Sequence, residues 1–488
     1  MLDRAALTTN MGWLWAICAL GAALIIARMP LAGAGVLIAG IAIGVAVTIT
    51  PMAALVAMLT LAPLRTLIAT EAPTLIPFDI GQLSLVALLG AWITALIVQR
   101  RAIRFGWTPV FIPLIAFIAA AGLTAFSAWS LSAWLSEWLK WIQVALLILV
   151  CLSMARDWRW LPFALAIAGV ANGVIGIYQY FGGSGALHLV VNGDKFRAFG
   201  TFGQPNPFGG FMGLLAPVAL MTGVGYALQW YRARTGHESR VSDLIFAVFY
   251  LAAGAVMALA LYLSWSRGAW LAFASCIVAI GFALPRRWIV GALLVGLAAA
   301  VLGGLWASGR LPASIVSRIE SATQDILSIS DVRGVDIDPN NYANIERFAH
   351  WQAAVNMATA YPFLGVGFGN YEIAYANFRL INWKFALGHA HNYYLNVLGE
   401  AGMIGLVAYL ALWGGIFALT WRARRHPDPL ARCIIVGLLG SWVYLAIHSL
   451  TDNLYVNNAF LHLGVLLGLL AVLDQQTRQE TQWHTRNT

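Results

Sequence analysis

Between Met11 and Leu473 this chain offers a dozen or more apolar runs long enough to cross a bilayer, and its charges fall largely in the gaps between them. That spacing leaves few folds open. A run of roughly 20 apolar residues spans the hydrocarbon core as a helix. No water is present there to satisfy backbone N–H and C=O groups, so such a run must close its hydrogen bonds within itself. A water-soluble fold has no interior large enough for 60% hydrophobic residues when only 10% are charged and the mean hydropathy is +0.77. The expected fold is an all-α polytopic membrane protein with about 12–14 transmembrane helices.

The gaps are of two kinds. Basic clusters stand at Arg100 to Arg104, Arg156 to Arg159, Arg232 to Arg240, Arg286-Arg287 and Arg422 to Arg432. Walking the runs alternately across the bilayer puts every cluster on one side, which the positive-inside rule makes the cytoplasm. The net charge of +9 is thus a topological signal and implies no nucleic acid. Cys18, Cys151, Cys276 and Cys433 lie singly inside apolar runs, a pattern of small buried hydrophobes that signals neither a disulfide framework nor a metal site. The first run lacks a small-residue cleavage pattern and reads as a retained span. Breaks at Arg28-Met29-Pro30 and Pro51 leave the number of spans before Ile68 open.

This orientation divides the chain. Residues 1–306 hold transmembrane helices with an external loop at 179–208, residues 307–401 form an external loop domain, residues 402–474 form the last three spans, and residues 475–488 a cytoplasmic tail. Apolar residues at helical spacing between Asn344 and Ala360 make the external domain partly helical, and the acidic stretch Asp325 to Asn341 is expected to be its mobile portion. No internal repeat is visible, which weighs against a secondary transporter.

The residues suited to chemistry gather on the external side. His389 and His391 stand two residues apart ahead of a helical run, with Asn392 next and Gly402 and Gly405 behind. Histidine takes and gives a proton near neutral pH, although a pair of interfacial histidines at a helix start reads equally well from spacing alone. Arg267, in Ser264-Trp265-Ser266-Arg267-Gly268, is the one charge between Leu244 and Pro285, and a guanidinium at such a depth marks a functional position. Lys195 and Arg197 precede a Gly- and Pro-rich turn in which Asn206 is placed to cap the next helix. Arginine forks fit phosphate oxygens two at a time. Arg347 opens the external helical pattern, and Asp452 is the carboxylate near the last spans that could orient a histidine. Gly365-Val366-Gly367-Phe368-Gly369 follows a Pro-containing turn and not a strand, so it makes a poor phosphate loop. The set suits a diphosphate held by arginines beside a general base, with no metal or other cofactor. ATP is absent outside the inner membrane, so the energy would come from an activated, lipid-linked donor.

These motifs together resemble the O-antigen ligase and polymerase superfamily of bacterial inner-membrane glycosyltransferases. The resemblance rests on His391-Asn392 with Gly402 and Gly405, on Ser266-Arg267-Gly268, on Arg197 to Asn206, on Arg347 through Gly367, and on the large external loop before the last spans. It covers roughly Arg197 to Asn453; earlier residues match only as spans.

The resemblance implies an O-antigen ligase of the inner membrane with its site on the periplasmic face, which makes residues 307–401 a periplasmic loop domain. Its donor would be undecaprenyl-diphosphate-linked O-antigen and its acceptor a sugar hydroxyl of lipid A-core, with membrane lipids around it. Arg267 and Arg197 would grip the diphosphate, and His391 or His389 would accept the hydroxyl proton. No carboxylate pair suits a covalent double displacement, so a single inverting displacement is expected. O-antigen polymerases and protein O-oligosaccharyltransferases share the donor and the motifs. A transporter with a histidine proton relay would place charges at mid-depth, whereas these gather at one face.

Overall fold

The computed structural model of the protein describes residues 50–71, 79–99, 106–183, 189–191, 195–235, 241–310 and 342–487. The expected spans before residue 50, Cys18 and the acidic stretch Asp325 to Asn341 lie outside these residues. The helices are α1 (Pro51–Leu61), α2 (Arg65–Glu71), α3 (Ile80–Val98), α4 (Phe111–Leu123), α5 (Leu131–Ser153), α6 (Trp160–Tyr180), α7 (Pro205–Thr235), α8 (Val241–Leu263) and α9 (Arg267–Ala283). They continue as α10 (Trp288–Ala307), α11 (Tyr342–Ala360), α12 (Tyr371–Phe378), α13 (Tyr393–Ala423), α14 (Pro429–His448) and α15 (Ala459–Asn487). The only strands among the described residues are β1 (Val190–Val191) and β2 (Lys195–Phe196), paired antiparallel with Val190 opposite Phe196. Among the described residues ten candidate spans are long and apolar enough to cross a membrane, and Phe111–Ser127 and Arg267–Ala283 are shorter apolar helices. The protein is an all-α polytopic membrane protein, as its apolar runs require.

The chain divides into two units, Met1–Met58 with Ser84–Ala102, and Leu59–Leu83 with Ile103–Thr488. In the first, Val86, Ile93 and Ile97 of α3 point outward, as side chains facing lipid do. In the second, α7 packs chiefly on α8 and α14, α9 on α14, α5 along α15, and α4 along α13. Of the most apolar window of each helix, 89% of α15 and 78% of both α7 and α14 are buried in protein, against 6% of α10. The former make the core, and α10 is left to lipid.

Small residues allow the core helices to touch. A Cβ at Gly213 of α7 would lie 2.1 Å from the Tyr444 ring of α14. Its absence lets the Tyr444 hydroxyl donate to the Gly209 carbonyl at 2.9 Å, a bond between helices inside the apolar layer. Cys151, Cys276 and Cys433 are buried and unpaired, as small apolar side chains would be.

Helix α11 covers the stretch in which apolar residues recur at helical spacing. Ala353, Met357, Val366, Tyr371, Tyr375 and Ala390 form one apolar cluster, so the turn carrying His389 and His391 is anchored through Ala390 to this cluster. Helix α13 is broken at Gly402, whose φ of 63 and ψ of −165 interrupt the helix. The Met403 N–H, freed by the break, donates to the Pro362 carbonyl at 2.8 Å. A Cβ at Gly402 would stand 2.3 Å from the Phe363 carbonyl carbon. Gly402→Ala is therefore expected to destabilise the protein by about 2 kcal/mol or more, through a left-handed residue and a backbone collision together. A lowered melting midpoint in detergent is the expected result; an unchanged midpoint would show that the break is dispensable.

Candidate active site

The turn before α13 is shaped by backbone that side-chain-bearing residues seldom adopt. Leu387, Gly388 and His391 have φ of 52, 80 and 53. The two left-handed residues with side chains cost on the order of 1–2 kcal/mol each. Surrounding bonds hold them. Asn392 caps α13 by accepting from Tyr394 N at 3.0 Å and Leu395 N at 3.2 Å. The Asn396 side chain accepts from Ala390 N at 3.0 Å, and Tyr393 N donates to the Ser449 carbonyl at 2.8 Å. That last bond ties the turn to the end of α14, and so to Asp452.

Asp452 is 4% exposed, and its Oδ1 lies 3.5 Å from His389 Nε2 and 3.8 Å from His391 Nδ1. The same oxygen accepts from Asn453 N at 2.8 Å, which fixes the carboxylate. Burial alone would raise its pKa, but the contact with His391 and the neighbouring His389 and His448 outweigh burial and hold it well below the usual carboxylate range. Burial drives His389 down to about 4 against the opposing pull of Asp452, so this imidazole is neutral near pH 7.

The two histidines differ in what remains open to them. His391 N–H donates to His389 Nδ1 at 3.0 Å, so the proton of neutral His389 sits on Nε2, facing Asp452. Both nitrogens of His389 are thereby occupied. His391 directs Nδ1 at Asp452, and no hydrogen bond among the described residues engages its Nε2. By distance alone, His389, His391 and Asp452 could hold a metal ion, since their ligand atoms all lie within 4.8 Å. The tautomer opposes it, because His389 presents an N–H to this centre where a ligand must present a lone pair.

The arginine motifs arrive at the same place. Arg197 Nε donates to the Ser264 carbonyl at 2.9 Å, and Nη2 to the Asn206 Oδ1 at 3.1 Å and the Trp265 carbonyl at 3.4 Å. Trp265 is itself left-handed, with φ 54, so the guanidinium braces a strained turn. Beyond the turn, Ser266 caps α9, whose first residue is Arg267. Gly268 then packs on Thr451, with only 2.3 Å between an added Cβ and the Thr451 hydroxyl, which brings the Arg267 turn beside Asp452. Asn206 departs from expectation: α7 begins at Pro205, so Asn206 lies inside the helix, and its oxygen serves Arg197 instead of capping. Arg347 is close enough for its charge to bear on His448. Lys195, the first residue of β2, stands over the Phe181 ring, 5.6 Å from its centroid.

Several groups here went unnamed in the sequence reading. His350 of α11 is buried, stacks on Tyr375 at 4.9 Å and meets His391 edge-on at 5.6 Å. Tyr371 donates its hydroxyl hydrogen to the His350 carbonyl at 3.1 Å, so His350 Nδ1, 2.9 Å away, is the donor to that hydroxyl. Burial, with the two neighbouring histidines, lowers His350 to about 3. His448 is also buried, and among the described residues neither of its ring nitrogens has a hydrogen-bond partner. Glu400 accepts from Gly369 N and Tyr371 N, each at 3.0 Å, while Val366 N and Gly367 N donate to the carbonyls of Gly399 and Glu400. The glycine-rich segment is therefore a bracket onto α13, its amides spent on protein and not on phosphate. The signals were thin: His350 lies three residues after Arg347, His448 four before Asp452, and Glu400 within Gly399-Glu400-Ala401-Gly402.

A many-spanned helical protein with a buried carboxylate–histidine group and arginine motifs at one end has the makings of a membrane glycosyltransferase. Residues 252–410, about a third of the chain, match the family model described as O-Antigen ligase, so over this stretch the chain is similar to that family of membrane glycosyltransferases. No curated protein matches the chain. The matched residues include Arg267, Arg347, His389 and His391; Arg197, Asn206, His448 and Asp452 lie outside them and join the site through the fold.

Arg197→Lys keeps the charge and loses the fork. If the guanidinium braces the turn, the melting midpoint falls in step with about 1.5–3 kcal/mol of lost charge-assisted hydrogen bonding. An unchanged midpoint would show that the charge alone matters at this position.

Proposed function

We propose that this protein is an O-antigen ligase, transferring O-antigen polysaccharide from undecaprenyl diphosphate to a sugar hydroxyl of lipid A-core. The single observation that carries the reading is Asp452, buried beneath His389 and His391 and flanked by the Arg267 turn. Under the positive-inside rule the arginine-rich end of the helices faces the cytoplasm of a bacterial inner membrane, and the histidine end faces the periplasm.

In this reading His391 is the base and His389 a supporting group, because His389 has both nitrogens occupied and His391 keeps Nε2. Asp452 orients the His391 ring and stabilises the imidazolium that forms. The acceptor oxygen attacks the anomeric carbon as its proton passes to Nε2. The bond from that carbon to the diphosphate oxygen breaks, and the configuration inverts. Charge developing on the leaving diphosphate is met by Arg267, Arg347 and Lys195. Arg197 contributes chiefly by holding the turn from which Arg267 projects. Fixed cations of this kind act where charge appears in the transition state and need neither metal nor nucleotide.

A base positioned for a sugar hydroxyl contributes about 10²–10⁴-fold. His391→Ala is expected to lower transfer by about that factor, and Arg267→Ala comparably, with both variants still inserted. His389→Gln should retain far more activity. The assay supplies undecaprenyl-diphosphate-linked glycan and lipid A-core to purified protein, with chelator and without nucleotide. Glycan on lipid A-core is the expected product. Longer donor chains with untouched lipid A-core would make the protein a polymerase, and glycan on a polypeptide acceptor would make it a protein O-oligosaccharyltransferase. Full activity in both His391→Ala and Arg267→Ala would refute the site.

A further inference from the structure

The opposite end of the same helices carries a second charged feature, remote from the histidines. A cavity of about 350 Å³ is lined by Arg232, Arg286, Arg432, Pro427 and Pro429. The three guanidinium groups come from three places in the chain: the last turns of α7, the turn between α9 and α10, and the first turn of α14. No carboxylate lines this cavity among the described residues. Asp428, between the two prolines, caps α14 through Leu430 N at 2.8 Å and is approached by Gln229 at 3.4 Å and Arg159 at 3.7 Å. Arg432 is held in place by donating to the Leu284 carbonyl at the end of α9. Three guanidinium groups gathered around one cavity offer forked N–H donors to an anion entering it.

We propose that this cavity binds the phosphodiester head group of an anionic phospholipid from the cytoplasmic leaflet. Forked N–H groups suit phosphate oxygens, and basic pockets between transmembrane helices on the cytoplasmic side are sites of this kind. The walls select a lipid over a free phosphate ion. Toward the membrane lies the apolar cluster of Met221, Ala283, Cys433, Val436 and Leu439, with Leu284 packed against it. Arg286 also stands just before α10, where Trp288, Ile289, Leu293 and Leu297 are 58%, 56%, 69% and 64% exposed. An acyl chain has a surface to follow there, and an inorganic anion gains nothing from it. The site bridges α7, α9 and α14, whose other ends carry Asn206, Arg267 and His448. A bound lipid would sit at one end of the helices that frame the candidate active site at the other.

The test uses the full-length protein in neutral detergent, supplied with phosphatidylglycerol, with phosphatidylcholine, or with inorganic phosphate. Retained lipid is read by native mass spectrometry, and stability by the melting midpoint. Phosphatidylglycerol should be retained in preference and should raise the midpoint by several degrees, while phosphatidylcholine and phosphate do neither. Arg286→Gln, at an exposed position that makes no hydrogen bond or ion pair among the described residues, should remove most of that preference. Arg287→Gln deletes the same charge one residue away, outside the cavity lining, and should leave the preference intact. Equal retention of both lipids would overturn the proposal. So would an undiminished preference in Arg286→Gln, or an equal loss in Arg287→Gln, which would reduce the effect to general surface charge. A midpoint raised equally by inorganic phosphate would replace the lipid with a soluble anion. None of these readouts involves glycan transfer, so they are independent of the function proposed above.

Discussion

The arrangement depends on one buried carboxylate. Asp452 is nearly inaccessible and remains ionised because His389 and His391 approach the same oxygen. An ionised carboxylate without such partners would cost several kcal/mol at that depth. The partners are far apart in sequence, in the turn before α13 and the loop after α14, and each turn is shaped to meet the other. The left-handed His391, the Asn392 cap and the Tyr393-to-Ser449 bond are consequences of that meeting. Local backbone strain in such a place is sustained by the surrounding structure.

A second layer of the same logic surrounds the arginines. Arg197 spends its fork on the Ser264 and Trp265 carbonyls and on Asn206, so three separate segments are fixed relative to one another by one side chain. Gly268 then seats the following helix against Thr451. The Arg267 turn and the carboxylate–histidine group are thus parts of one packed unit and do not belong to independent loops. Glu400 has a comparable task, holding the 362–371 segment to α13.

The fold was legible because a bilayer allows so few ways to hide backbone. Apolar runs near 20 residues can only be helices, and their basic flanks order them. The candidate site was legible in part, where chemistry and sequence proximity coincide, as in His389-Ala390-His391 or Ser266-Arg267-Gly268. What escaped depends on contacts without local pattern. His350 reaches His391 from 41 residues away, as the two numbers give directly, and His448 packs against Gly210 across about half of the chain. Arg197 was recognised by residue type, yet its bonds to carbonyls, which give it a bracing part, cannot be read from a loop composition. The same holds for Asn206, which looks like a cap and acts as an acceptor for Arg197.

The account turns on Asp452 sustaining His391 as the base, and the most direct measurement is the turnover of Asp452→Asn in the reconstituted transfer assay. Asparagine keeps the shape and removes the charge. The account predicts turnover reduced by about tenfold or more, with donor KM little changed, since the carboxylate steadies the imidazolium and touches no substrate. Undiminished turnover with a raised donor KM would contradict it, because Asp452 would then serve binding and His391 would act without it.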